Sequence, residues 1–178
     1  NLAASASAGD TFALRIATRS FLTLATPADS VVFSMTPIVT SISEVQTVNT
    51  VTVDVSSSVP SLLTQGLSYV MLKATMTVDT GSAQLNRFLV NRTGEGINGD
   101  VSAVKVYSDE VVDGWPLNAA VDQLLGEAPF IGAQGLATID IAATTLAAGT
   151  PAVFFIVYDI SPSANPGDTI GASLSNAT

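Results

Sequence analysis

The densest run of chemically capable side chains is Asp109-Glu110-Val111-Val112-Asp113-Gly114, with Asp122 farther along. Carboxylates at the first and fifth places of a loop, with glycine at the sixth, match the start of a calcium loop. A hard cation takes oxygen ligands, and the chain must turn sharply at that glycine. The match is incomplete: Val111 stands where a third ligand oxygen belongs, and Ala120 where a bidentate glutamate would close the site. Asp109, Asp113 and Asp122 are the candidate metal ligands and calcium is the candidate cofactor. Water, the Trp115 carbonyl, Asp100 or Glu127 would have to complete the shell. The competing reading is a solvated acidic turn.

Other chemistry is sparse. The 178 residues include no histidine and no cysteine. Imidazole and thiolate chemistry is thereby excluded, and with it most nucleophilic, acid–base and zinc sites. No glycine-rich phosphate loop occurs, and no motif frames a serine–lysine pair for hydrolysis. The sequence reads as a non-enzyme. Asn91-Arg92-Thr93 and Asn176-Ala177-Thr178 are N-glycosylation sequons, so Asn91 and Asn176 are candidate glycan acceptors. Asn91 is the better one, because Gly94–Gly99 reads as a loop beside it. Trp115-Pro116 could stack on a sugar, although the area one indole buries favours a core plug. Lys73 and Lys105 invite an isopeptide bond, but alternation places both on a polar face, against it.

Composition narrows the partners. A net charge of −9 with six Lys and Arg leaves little to meet phosphates, so nucleic acid and anionic membrane surfaces are excluded as partners. No apolar run approaches the roughly 20 residues that span a bilayer, so no membrane insertion is expected. Charged residues make up only 12%, against about 25% in an ordinary chain. With a mean hydropathy of +0.46, that scarcity predicts a surface covered by neighbouring copies of the chain. Asn1 opens directly into Ala/Ser-rich sequence, as at a processed terminus or an internal start. The Ser/Thr/Ala/Val richness predicts an extracellular or cell-surface location.

The elements that must carry these residues follow a period of two. Val70, Leu72, Ala74, Met76 and Val78 alternate with Tyr69, Met71, Lys73, Thr75 and Thr77, which is strand grammar. The pattern returns at Ala83–Asn91, Val101–Ser108, Leu136–Ala142, Ala152–Ile160 and Thr169–Leu174, with Gly, Asn, Asp or Pro between the runs. Leu117–Leu125 reads as a single helical turn. The expected fold is an all-β sandwich over residues 66–178, with residues 1–65 as an N-terminal strand arm and connecting strands. Val70, Leu72, Ala74, Met76, Val104, Val106, Ile139, Ile141, Phe154, Ile156 and Tyr158 should face inward. In the arm, Phe12, Leu14 and Ile16 form an apolar row that would aggregate if left exposed, which marks them as a subunit-contact strand. An internal echo links the two ends of the chain. Ser5-Ala6-Ser7-Ala8-Gly9-Asp10-Thr11 matches Ser163-Ala164-Asn165-Pro166-Gly167-Asp168-Thr169 at five of seven positions, and each copy leads into an apolar alternation.

From Gly66 to Leu174 the chain resembles immunoglobulin-like β-sandwich modules of bacterial and archaeal secreted surface proteins. The resemblance is carried by Tyr69–Asp79, by Asp100–Asp109, and by Val157-Tyr158-Asp159-Ile160-Ser161 with Gly167-Asp168-Thr169. Such modules serve as stalks, adhesins or filament units. An apolar arm ahead of a sandwich is further similar to pilus subunits joined by donor-strand exchange, in which the arm fills a groove of the neighbour. The resemblance implies a structural subunit of an extracellular filament or surface array. The alternative it leaves open is a carbohydrate-binding or adhesive module of a larger secreted protein.

Overall fold

A computed structural model describes residues 49–57, 59–110 and 117–175, together with four two-residue strands nearer the start. The chain divides into two compact units, Asn1–Val48 and Asn49–Thr178. In the first, β1 (Thr11–Phe12) pairs antiparallel with β4 (Ser43–Glu44), and β2 (Arg15–Ile16) with β3 (Ile38–Val39). Of the proposed contact strand, Phe12 and Ile16 lie in β1 and β2, while Leu14 lies outside the described residues.

The second unit is an all-β sandwich. Its strands are β5 (Val51–Ser56), β6 (Ser68–Val78), β7 (Ser82–Thr93), β8 (Val101–Ser108), β9 (Gln123–Ala128), β10 (Leu136–Ala147), β11 (Ala152–Ile160) and β12 (Gly171–Leu174). One sheet runs β5-β6-β11-β8-β9 and the other β10-β7-β12, every pairing antiparallel. Among the described residues there is no α-helix, only a 3-10 turn at Asn98–Asp100. Val51–Ser56, grouped by sequence with the arm, is hydrogen-bonded along β6 and belongs to the five-stranded sheet.

The core forms where the two apolar faces meet. Alternation sends Leu72, Ala74 and Met76 of β6, Val104 and Val106 of β8, and Phe154, Ile156 and Tyr158 of β11 inward against Phe88, Val90, Ile139 and Ile141 of the opposite sheet. Ala74 sits directly across from Phe154, and the small residue leaves room for the ring. Phe154 meets Phe88 edge-on with ring centres 5.2 Å apart, and Tyr158 meets Phe130 likewise at 5.2 Å.

Two expectations are corrected. Val70 faces the other way, against Val153, Phe155 and Val157 on the outer face of the five-stranded sheet. The cause is a bulge: β11 pairs Ile156 with Leu72 but Val157 with Val70, so Met71 is an extra residue and the parity of β6 flips there. The helical turn read at Leu117–Leu125 is instead a tight turn followed by strand β9.

Candidate functional site

Strand β8 has a buried aspartate just beyond each end, and the two are held differently. At its start, Asp100 is 1% exposed. Its Oδ2 accepts the Ile97 N–H at 2.7 Å and its Oδ1 the Asn165 N–H at 2.9 Å. Its own carbonyl accepts the Ser161 N–H at 2.8 Å. One side chain therefore joins the 94–100 loop to the 161–170 loop, and both oxygens are satisfied without a metal. The second loop is fastened again by Thr169. Its Oγ1 accepts the Glu95 N–H at 3.0 Å and its carbonyl the Gly96 N–H at 3.0 Å. Sequence reading offered Asp100 only as a spare calcium ligand. The partners that define its role are backbone amides far along the chain, which leave no mark in side-chain types.

At the other end of β8 lies the acidic connector. Asp109 is buried, and its N–H donates to the Val153 carbonyl at 3.0 Å. Asp122 is also buried; its Oδ2 accepts the Asn118 N–H at 2.7 Å, while its own N–H donates to the Asn118 carbonyl at 2.8 Å. The carboxylate thus reaches back across the turn that feeds β9, in which Asn118 Oδ1 accepts the Ala120 N–H at 3.2 Å as an Asx turn. Asp113 and Trp115 lie outside the described residues, and with them one of the three proposed ligands. Among the described residues, no three His, Cys, Asp or Glu side chains converge on one point.

Asn91 lies in β7, two residues before the strand ends. It is paired with Leu136 of β10 and Ser173 of β12, and its side-chain amide donates to Ser175 Oγ. A glycan on that nitrogen would have to displace the Ser175 contact. Asn176 lies outside the described residues. Lys105 Nζ lies 2.6 Å from Asp159 Oδ2, and Ser68 Oγ donates to Asp159 Oδ1 at 2.6 Å. The hydrogen bond to Asp159 pushes the Lys105 pKa up. The two side chains therefore stand as an ion pair.

The least complete part of the sandwich is its β5 side. Val51, Val53 and Val55 lie opposite Val78, Met76 and Ala74, so they point to the same core-side face of the sheet. Yet they remain 38%, 43% and 47% exposed. The three-stranded sheet stops short of them: its last strand, β12, packs against β6 and pairs with β7 only from Val90 to Thr93. The entry to β5 is fixed by Asp79, whose Oδ1 accepts the Thr50 N–H at 2.8 Å and the Thr80 N–H at 2.7 Å. These bonds, the one from Thr50 first, hold the Asp79 carboxyl below the usual aspartate range. A cleft of about 700 Å³ opens between Val59–Gln65 and Ile160–Ile170, with Asp168 its one charged lining side chain and Leu62 83% exposed. It offers no acid–base pair.

No helix among the described residues is long and apolar enough to cross a membrane. Comparison of the chain with protein-family models, with curated proteins and with solved structures finds no match.

Proposed function

We propose that the chain is a structural subunit of an extracellular filament or cell-surface array, and that its immunoglobulin-like sandwich joins neighbouring copies by β-strand addition. The observation that carries this reading is the row Val51, Val53 and Val55, aimed at the core side of an edge strand and left more than a third exposed. An edge strand with an apolar core-side row, one aspartate and no proline is a template for another strand. Adding a strand beside β12 would cover that row and pair free backbone groups in one step. Linkage of this kind needs no disulfide, and the chain has no cysteine to make one. A catalytic role has little to draw on without histidine or cysteine.

Electron microscopy of the purified full chain tests the reading. Regular fibres or sheets are the expected result. Dispersed monomers that bind polysaccharide would replace it with the adhesive-module alternative.

A further inference from the structure

The echo between the two ends of the chain acquires a physical meaning once the later copy is seen folded. In residues 163–174 each echoed residue has a task. Ser163 Oγ lies 2.9 Å from Ser161 Oγ. Ala164 is 6% exposed, so its place accepts only a small side chain. Gly167 has φ +96°, a left-handed conformation that favours glycine. Asp168 Oδ2 accepts a hydrogen bond from Asn165 Nδ2 at 3.3 Å, and Thr169 makes the two bonds to Glu95 and Gly96. Ile170, Ala172 and Leu174 then pack against the core. The five identities in the early copy (Ser5, Ala6, Gly9, Asp10 and Thr11) fall on those tasks, and Phe12, Leu14 and Ile16 repeat the apolar row.

Within the seven-residue echo the two mismatches cost one side-chain hydrogen bond. Pro166 becomes Ala8 at an exposed position. Asn165 becomes Ser7, which keeps the backbone N–H that Asp100 accepts but not the amide that Asp168 accepts. Beyond the echo Ala13 stands where Gly171 does, and its Cβ would turn the Thr93 hydroxyl aside. Arg15–Ile16 and their counterparts Ser173–Leu174 are both strand.

We propose that residues 5–16 are a second closing segment, built to the plan of residues 163–174 and able to take their place against β7 and the Gly94–Asp100 loop of another copy of the sandwich. This deepens the strand-addition reading and rests on it for the identity of the partner. The register follows from the echo: Arg15 replaces Ser173 and falls opposite Asn91. The antiparallel pairings of Thr11–Phe12 with Ser43–Glu44 and of Arg15–Ile16 with Ile38–Val39 would travel with it. A strand would then be added beyond the β12 position, on the side where Val51, Val53 and Val55 are uncovered.

The test is a chimera of the full chain in which residues 163–174 are replaced by residues 5–16. It should melt within about 5 °C of the native chain, whereas a chimera carrying the same residues scrambled should not fold. Placing proline at the Ser7 position of the grafted segment removes the N–H for Asp100 and should lower the melting point; alanine there should not. Because a chimera can fail for trivial reasons, a second readout uses the absence of native cysteine. Copies carrying Arg15→Cys are mixed with copies carrying Asn91→Cys, and a mixed disulfide should exceed that formed with Gln84→Cys copies. The excess cross-link upholds the proposal, and a stable chimera upholds the equivalence of the two segments on which it rests. A chimera no better than its scrambled control, together with no excess cross-link, overturns it. Fibres seen without either signal would leave strand addition standing through a different slot. A stable chimera from a chain that never forms fibres would uphold the segment's equivalence and sink the filament.

Discussion

The two lateral sides of the sandwich differ in how they are finished. On the β9–β10 side the sheets touch backbone to backbone: a Cβ on Gly126 of β9 would stand 2.8 Å from the Asp140 carbonyl oxygen of β10. A strand from one sheet closes over a strand from the other, and the core is sealed there. On the β5–β12 side the five-stranded sheet outruns its three-stranded partner, and a valine row meant for a core is left half in water. The chain alternates correctly on both sides, so the difference lies in what is stacked above. An unfinished layer in an otherwise closed sandwich points to a strand supplied from elsewhere.

The comparison can be broken most severely at the clamp that holds the approach to β12. Asp100→Ala removes the acceptor for two partly buried backbone N–H groups at once. A loss of about 3 kcal/mol is expected, since each bond to a charged group contributes roughly 1.5–3 kcal/mol. Urea titration would read it as a lower midpoint. A near-neutral result would mean that Thr169 and the Asp100 carbonyl suffice to hold the two loops. Next comes the sealed side. Gly126→Val forces side-chain atoms into the Asp140 carbonyl and should cost about 2 kcal/mol, as overpacked sites do. A tolerated valine would show that the sheets can part there, and the contrast between the sides would lose its basis.

Much of this was legible in the sequence. Strand β8 alternates, β6 does so from Leu72 onward and β11 is a run apolar on both faces; their bounds coincide with Ser68–Val78, Val101–Ser108 and Ala152–Ile160. Val70 was misassigned because a bulge changes parity without changing composition. Strand β9 was missed because Gln123-Leu124-Leu125-Gly126-Glu127 has helix-favouring residues, and only the close approach of β10 explains its glycine. The acidic connector drew the eye because its carboxylates are neighbours in sequence. Asp100, the best-anchored carboxylate, was passed over because Asn165 is its neighbour only in space.

Two smaller effects sharpen the comparison through pH and calcium. Tyr158 is buried between the sheets, and burial pushes its pKa above the ordinary tyrosine value. The unfolded chain therefore releases this proton first, so stability is full below about pH 10 and falls above it by up to about 1.4 kcal/mol per pH unit. Tyr158→Phe should flatten that alkaline slope; an unchanged slope would assign it to other groups. Calcium would act on the sealed side, where Asp109 ends β8 and Asp122 precedes β9. Asp122 has one oxygen already committed to Asn118, so calcium held there would be bound only as loosely as in weak extracellular sites, with a dissociation constant on the order of 0.1–1 mM. Millimolar calcium should then stabilise by about 1 kcal/mol through mass action. A melting point unmoved by EGTA would remove calcium and leave Asp122 as a turn-closing residue.

The smallest effect on folding belongs to the open side, and it decides the most about function. Val53 lies opposite Met76 on the core-side face, yet is 43% exposed. Val53→Lys therefore replaces a side chain that has surrendered only part of its water, and the lysine can reach solvent by its flexible stem. The isolated chain should change in stability by no more than about 0.5 kcal/mol, as surface substitutions do. Association should respond far more strongly, because a charge on an edge strand is the device by which sheets refuse further strands. The two readouts pull apart only if the valine row exists for a partner. Thermal denaturation at low concentration and fibre formation at high concentration would measure them on the same protein. A variant that assembles as well as the native chain would make the exposed row an ordinary surface feature. A variant that unfolds outright would mean that the row is already part of the core.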